Sequence, residues 1–171
     1  MAGRVLTGEE IRERLQETPP LLEGWVDLGS QLQPHGFDLT VREVAVFAGT
    51  GWVGEGEKRG LAPPLPLPFD GDGGLTLGPG VYLVTFNEVV RLPLDVMALA
   101  FPRSTLLRCG VSLHSAVWDA GYHGRSQALL AVHNPAGFRL SRNARLAQMV
   151  FFALGRRVAR GYQGRYQGEN L

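Results

Sequence analysis

Apolar and polar residues follow a helical period only near the start of the chain. Thr7 and Glu10 have the spacing of a capping box, in which each residue caps the other's backbone, and Ile11 and Leu15 then fall on one face of the following helix. The pattern therefore predicts one short helix within about residues 1–20.

Beyond that segment the pattern changes to short apolar runs rich in Val, Leu, Phe and Tyr. Clusters of Gly, Pro, Asn and Asp separate these runs at fairly even spacing, which is typical of an all-β sandwich or barrel. The predicted strands are 37–47, 81–90, 95–101, 107–117, 125–132 and 146–154.

Two stretches do not fit the strand pattern. Residues 62–80 begin with alternating prolines and end in Leu-Gly-Pro-Gly, which predicts an ordered surface excursion without strands. Residues 161–171 repeat Tyr-Gln-Gly, and we expect about 158–171 to be a mobile tail that orders over a ligand.

Length and composition indicate one globular domain spanning 1–171. The chain has 171 residues, of which 44% are hydrophobic and 19% are charged. Cys109 is the only cysteine, so no internal disulfide can form, and neither a membrane-spanning run nor a signal peptide is recognisable. We expect a cytoplasmic protein with no membrane partner.

The net charge of +1 conceals a strongly basic C-terminal third. Beyond Asp119 the only acidic residue is Glu169, and Lys58 is the only lysine of the chain. The positive charge is thus almost entirely arginine, which favours a polyanionic partner, either a nucleic acid or a nucleoside polyphosphate.

The residues best suited to chemistry lie between 102 and 124. Pro102 precedes Arg103, Ser104 and Thr105, a guanidinium and two hydroxyls that suit phosphate oxygens, and Asp119 follows in a Gly-containing turn where it could activate water. An anion clamp beside a candidate base is what hydrolysis of a phosphate ester or anhydride requires. A Walker P-loop and a Gly-x-Ser-x-Gly elbow are both missing from the sequence, and its histidines have no zinc-site spacing.

Five blocks in order carry a family resemblance: 33–39 (QPHGFDL), 102–106 (PRSTL), 119–124 (DAGYHG), 146–148 (LAQ) and 162–167 (YQGRYQ). Together they resemble the dUTPase and dCTP deaminase superfamily, and the first and last blocks are similar to its deaminase branch. The resemblance implies a homotrimer of distorted jelly-roll subunits with nucleotide sites at subunit interfaces and Mg²⁺ on the triphosphate. It implies no nucleic-acid partner.

The resemblance also implies roles for individual residues. Asp119 matches the acid that orients the nucleophilic water, Tyr122 matches the aromatic that packs on deoxyribose, and Asp38 matches an acid near the hydrated magnesium. The hairpin backbone around Ser115 to Trp118 is expected to contact the pyrimidine. The full set of expected substrate-binding residues is Arg103, Ser104, Thr105, Ser115, Val117, Tyr122, Gln148, Tyr162, Arg165 and Gln167.

Departures from the deaminase pattern favour a different reaction. Deamination needs a proton shuttle, which deaminases place as a Glu on the strand after the hairpin, but the predicted strand 125–132 has no carboxylate. Val117 stands where many deaminases have a basic residue, Glu169 stands where the tail usually has Gln, and no alternative acid is expected downstream. The sequence therefore predicts a dUTP diphosphatase that forms dUMP and pyrophosphate. The alternatives are a dCTP deaminase, a bifunctional deaminase/dUTPase and a non-catalytic nucleotide-binding trimer.

Overall fold

Antiparallel strands form most of the computed structural model, which describes residues 3–171. The three helices are α1 (Gly8–Arg14), α2 (Leu28–Gln31) and α3 (Ser104–Arg108). The strands are β1 (Arg4–Val5), β2 (Leu22–Glu23), β3 (Leu32–Gln33), β4 (Gly36–Phe47), β5 (Trp52–Val53), β6 (Arg59–Gly60), β7 (Pro64–Pro66), β8 (Gly74–Leu77), β9 (Gly80–Arg91), β10 (Val96–Pro102), β11 (Val111–His114), β12 (His123–Val132), β13 (Phe138–Ser141) and β14 (Arg145–Ala153). Of the helices in this part of the chain, none has the length and hydrophobicity that a membrane span requires.

One sheet of 10 strands curls around the core in the order β1–β14–β4–β9–β12–β11. Strand β10 pairs with β14, β2 pairs with β9, and both β3 and β7 pair with β4, while β8–β13 and β5–β6 form two small separate ribbons. Along β12, side chains alternate between buried and half-buried positions, as expected of a sheet with one face on the core. The all-β prediction is confirmed.

The predicted N-terminal helix is confirmed as α1. The Glu10 amide donates to Thr7 Oγ1 over 3.3 Å and the Thr7 amide donates to Glu10 Oε2 over 2.9 Å, so both halves of the capping box form. Ile11 and Leu15 are buried against the sheet.

Two predictions about local structure are wrong. The segment predicted as strand 107–117 begins inside α3 and is a strand only over Val111–His114, because Ser104 and Thr105 start a helical turn that buries Leu106. Residues 62–80 contain β7 and β8, and β7 lies at a sheet edge, where proline is tolerated because its missing N–H is not needed for the ladder.

Three strand pairs shift register close to one another. The shifts are in β14–β4 between residues 145 and 147, in β4–β9 between residues 41 and 43, and in β12–β9 between residues 125 and 127. The side chain of Glu88 fills this junction and is 0% exposed. Its carboxylate accepts hydrogen bonds from the Thr40 amide (2.9 Å), Thr40 Oγ1 (2.6 Å) and Gln31 Nε2 (2.7 Å). Burial raises the pKa of Glu88, and the hydrogen bonds from Thr40 and Gln31 oppose that rise. We call these three residues the Glu88 network.

Replacement of Glu88 should destabilise the fold strongly. Glu88→Ala leaves the buried amide and hydroxyl of Thr40 without this acceptor and leaves Gln31 with only one of its two acceptors, which we expect to cost about 3 kcal/mol or more of unfolding free energy. Glu88→Gln keeps one acceptor oxygen and should cost less. Urea denaturation followed by circular dichroism measures both, and the exposed Glu55→Ala is the control for loss of a carboxylate. Equal midpoints for Glu88→Ala and Glu55→Ala would contradict this role.

Candidate active site

Three residues that the resemblance assigns to the triphosphate and its magnesium gather around the adjacent strands β4, β14 and β10. Asp38 of β4 lies directly opposite Gln148 of β14, and Arg103 follows the end of β10. The Asp38 Oδ2 atom is 3.2 Å from Arg103 Nε and 3.3 Å from Arg145 Nη1, and the residue is only 1% exposed. We call Asp38, Arg103, Arg145 and Gln148 the cation cluster.

Asp38 holds the two guanidiniums of the cation cluster together. Burial raises the pKa of its carboxyl, whereas the positive charges of Arg103 and Arg145 lower it. Each arginine keeps further N–H donors for a ligand, because one carboxylate oxygen serves both. Ser104 and Thr105 lie exposed beside Arg103 at the start of α3, so their hydroxyls remain accessible.

The second set of predicted residues surrounds the hairpin between β11 and β12. The backbone of Trp118 pairs with Ala98 of β10 in both directions, at 2.9 and 3.1 Å, which fixes the base of the hairpin. The Tyr122 amide donates to the Asp119 carbonyl over 3.1 Å, and Gly121 adopts a φ of +87° that favours glycine. This turn leaves the Asp119 carboxylate exposed.

A cavity of about 350 Å³ opens beside the hairpin. It is lined by Ala116, Val117, Trp118, Asp119, Tyr122, Ser126, Gln127, Tyr162, Tyr166 and Glu169. Ser126 and Gln127 both line it although they are neighbours on β12, since the register of β12 against β9 shifts between residues 125 and 127. The Ser126 hydroxyl is buried and has no hydrogen-bond partner in residues 3–171, so it is available to a ligand.

The C-terminal tail packs against the hairpin of its own chain. The Tyr162 amide donates to the Ala120 carbonyl over 2.8 Å, and the rings of Tyr162 and Tyr122 meet edge to face at 5.9 Å. The side-chain amide of Gln167 bridges the hairpin, donating to the Gly121 carbonyl (3.0 Å) and accepting from the His123 amide (3.1 Å). Gln167 thus anchors the tail, and the predicted mobility of 158–171 stays a prediction.

Glu169 brings a second carboxylate into the cavity. The Tyr122 hydroxyl donates to Glu169 Oε1 over 2.8 Å. Burial raises the pKa of Glu169, and the hydrogen bond from Tyr122 opposes that rise; burial and Glu169 together raise the pKa of Tyr122. The expectation that no alternative acid is available downstream is wrong, because the path of the tail carries Glu169 to the site.

The structure divides the predicted site residues into two groups. Asp119, Val117, Tyr122 and Tyr162 line the cavity, whereas no residue of the cation cluster does. No hydrogen bond or ion pair between residues 3 and 171 joins the two groups. The Ser115 hydroxyl faces the Ala100 carbonyl at 3.4 Å, outside the cavity lining, and Arg165 is exposed at the surface of the tail.

Some site residues were not expected from the sequence. Ser126, Gln127 and Glu169 line the cavity, and Arg145 belongs to the cation cluster. Of these residues, only Glu169 could be suspected from the sequence, because it is the one acidic residue after Asp119. The others depend on a register shift or on contacts between distant segments.

Comparison with known proteins places this geometry in a family. A profile of the dCTP deaminase-like family matches residues 5–154. A protein of Methanosarcina mazei is 46% identical over 167 residues, covering 97% of this chain and 98% of its own. The chain belongs to the dCTP deaminase-like family. The resemblance to the deaminase-like branch is confirmed.

The relatives within this family carry a consistent name. Those from M. mazei and from Archaeoglobus fulgidus, the latter 48% identical over 98% of each chain, are both named probable deoxyuridine 5′-triphosphate nucleotidohydrolase. The crystal structure of 2′-deoxycytidine 5′-triphosphate deaminase from Agrobacterium tumefaciens has a TM-score of 0.71 and 23% identity to this chain. That match covers 90% of this chain but only 49% of the deaminase, and it shows that the dUTPase-like fold is shared.

Substitution of Gly121 should detach the tail. A Cβ atom at this position would lie 2.6 Å from Gly161 Cα and 2.9 Å from the Tyr162 amide nitrogen, so Gly121→Ala forces the tail backbone away. We expect tryptic cleavage within the tail to become about tenfold faster, equivalent to a loss of about 1.4 kcal/mol in docking free energy.

Gly73→Ala is the matched control for this experiment. Gly73 also has a positive φ, +77°, but a Cβ there meets no atom of residues 3–171 within 4 Å. Gly73→Ala therefore introduces similar backbone strain without contacting the tail. Equally fast tail cleavage in both variants would show that Gly121 does not hold the tail.

Proposed function

We propose that this protein hydrolyses dUTP to dUMP and pyrophosphate. The observation that carries the proposal is Asp119, whose exposed carboxylate borders the cavity. Strand β12, which also borders the cavity, has no acidic residue. The names of the relatives, which are 44–48% identical over nearly the full length, support an enzyme acting on this substrate.

The two groups of residues suit the two ends of a nucleotide. Arg103 and Arg145 provide positive charge for the triphosphate, with Gln148, Ser104 and Thr105 as further phosphate-binding groups. The cavity is acceptor-rich and partly aromatic, so it suits the uncharged nucleoside, with Tyr122 against the sugar and the backbone of 115–118 against the base. Arg165, on the exposed surface of the tail, is a further candidate to contact the phosphates.

Magnesium fits this site only as a hydrated ion carried by the substrate. Residues 3–171 contain no cluster of three or more His, Cys, Asp or Glu side chains that could hold a metal. Asp38, the expected magnesium-associated acid, is buried between two arginines, so it suits an outer-sphere contact through water. Mg²⁺ commonly keeps several waters and binds mainly through substrate phosphates, and there it would neutralise charge on the triphosphate.

In the proposed mechanism Asp119 orients a water molecule and accepts its proton. The water oxygen attacks the α-phosphorus in line with the leaving group, a bond forms between them, and the bond from that phosphorus to the α,β-bridging oxygen breaks. Pyrophosphate departs while Arg103 and Arg145 stabilise its developing negative charge. The exposed position of Asp119 leaves room for the water molecule.

We propose that complete sites form between the subunits of a homotrimer. The cation cluster and the cavity are separate within one chain, so a site needs both from neighbouring copies. The outward face of β10 and β14 supports such an assembly, since its apolar side chains are half-buried or exposed in residues 3–171 rather than fully buried: Met97, Leu99, Phe101, Val150 and Phe152. The side chain of Phe101 is the most open of these, with 55% of the residue exposed to solvent.

One observation favours dCTP deamination as a second activity. Glu169 places a carboxyl group in the cavity, and deamination needs such a group to carry protons while water adds at C4 and ammonia leaves. Its engagement by the Tyr122 hydroxyl favours an anchoring role, so deamination remains the alternative.

The choice of base separates these two reactions. With Mg²⁺ present we expect dUTP to give dUMP and pyrophosphate, and dCTP to give neither dUTP nor dUMP, because no free carboxylate on β12 faces the base. Chromatographic separation of the products measures both. Ammonia release from dCTP at a rate comparable to dUTP hydrolysis would contradict the proposal in favour of a deaminase.

Asp119→Asn tests the proposed base. The amide has the same size and hydrogen-bonds the sugar, but it cannot take a proton from water, so we expect kcat to fall by about 10²-fold or more with dUTP binding largely retained. Near-normal turnover would show that Asp119 only shapes the turn.

Mixing this variant with Arg103→Ala tests whether the sites are shared. Each variant damages a different half of the site, so trimers assembled from both should contain some sites with two intact halves and regain activity. If co-expressed variants stay as inactive as either alone, the two halves belong to one chain.

A further inference from the structure

The end of the tail runs beside the start of β12 and is hydrogen-bonded to it residue by residue. The Gly168 amide donates to the His123 carbonyl over 2.8 Å, and the Arg125 amide donates to the Glu169 carbonyl over 2.9 Å. Asn170 Nδ2 then donates to the Arg125 carbonyl over 2.9 Å. This pairing fixes the backbone of Glu169 relative to the hairpin, and its side chain turns into the cavity.

The Glu169 carboxylate and the Tyr122 ring are packed closely. A Cβ atom on Gly124 would lie 3.2 Å from Glu169 Cγ and 2.7 Å from the Tyr122 hydroxyl oxygen, so only glycine leaves room for this contact. The hydroxyl is held by Glu169 at 2.8 Å, and the ring edge meets Tyr162 at 5.9 Å. Two side chains of the tail therefore set the position of Tyr122.

The electrostatics indicate which part of a ligand meets this pair. No ion pair engages Glu169 within residues 3–171, and Asp119 lines the same cavity. Two carboxylates that form no ion pair within residues 3–171 disfavour a phosphate here and favour the uncharged nucleoside. The Tyr122 ring thus forms a wall beside the nucleoside, while the phosphates lie toward the arginines.

We propose that Glu169 is a positioning residue that sets sugar specificity by fixing the Tyr122 ring against the nucleoside. The inference rests on the proposed function, because it takes dUTP as the substrate. When Glu169 holds its hydroxyl, the Tyr122 ring keeps one position. A ring fixed in this way excludes an additional 2′-hydroxyl more effectively than a ring that is free to turn, since discrimination depends on placement within about 0.5 Å. The tail then contributes to the choice between deoxyribose and ribose without contacting the differing hydroxyl.

The test compares kcat/KM for dUTP and UTP, which differ by the 2′-hydroxyl, in the full-length protein with Mg²⁺. In Glu169→Ala we expect the dUTP/UTP ratio to fall about tenfold, the effect of losing one charge-assisted hydrogen bond. Glu169→Gln restores an acceptor for Tyr122 and should keep the ratio within about twofold of the wild-type value. Glu55→Ala removes an exposed carboxylate elsewhere and should leave the ratio unchanged.

A double-variant comparison separates positioning from general weakening. Tyr122→Phe removes the other partner of the same hydrogen bond, so it should lower the ratio as much as Glu169→Ala does. The two changes together should lower it no further, because they remove one interaction. Additive effects would overturn the proposal, as would an unchanged ratio in Glu169→Ala or a Glu169→Gln variant as unselective as Glu169→Ala.

Failure of the proposed function gives a different result. If the wild-type protein turns over neither nucleotide, dUTP hydrolysis is refuted, and calorimetric dissociation constants for dUTP and UTP replace kcat/KM in the same comparison. If the wild-type protein hydrolyses dUTP and the ratio does not respond to Glu169→Ala, only the role of Glu169 is refuted.

Discussion

The buried carboxylate of Glu88 is the constraint on which the geometry of the sheet depends. Register shifts in three strand pairs meet at this point, and each shift leaves backbone groups without their regular partners. Glu88 accepts two hydrogen bonds from Thr40 and one from Gln31, and the same Gln31 amide also donates to the Asp38 carbonyl over 2.8 Å. The buried, hydrogen-bonded carboxylate of Glu88 is therefore connected to Asp38 of the cation cluster through a single residue, Gln31. It links the irregular part of the sheet to the position of Asp38, and through Asp38 to two arginines.

The same irregularity shapes the other half of the site. Between residues 125 and 127, β12 pairs with a bulged part of β9, and the register of the two strands shifts. The neighbouring residues Ser126 and Gln127 therefore both border the cavity. Gln127 is held by a hydrogen bond to Thr85 of 2.9 Å, whereas the Ser126 hydroxyl has no partner among residues 3–171. A regular ladder would direct one of these side chains away from the cavity. The sheet therefore creates a polar edge in an otherwise aromatic cavity by interrupting its own register.

Sequence reasoning succeeded where local pattern decides the structure. The long strands are predicted from apolar runs bounded by clusters of turn-forming residues, and α1 from Thr7 and Glu10, which lie within one turn of each other. It failed at the start of the predicted strand 107–117, where the apolar Leu107 resembles strand sequence but lies in a helical turn that buries Leu106 and exposes Leu107. The contacts of Arg145 with Asp38 and of Glu169 with Tyr122 join residues 107 and 47 positions apart, so local pattern cannot reveal them.

The roles of the two cavity carboxylates follow from their surroundings. Asp119 lies exposed in a turn, where a water molecule can approach it freely. Glu169 accepts a hydrogen bond from Tyr122 and is packed over Gly124, so one of its oxygens is already occupied and the group has little freedom to move. A proton shuttle must exchange its hydrogen-bond partners during the reaction, whereas a positioning group acts by keeping one partner. Of the two, Asp119 is suited to activating water, and Glu169 is suited to holding the Tyr122 ring, which we propose lies beside the nucleoside.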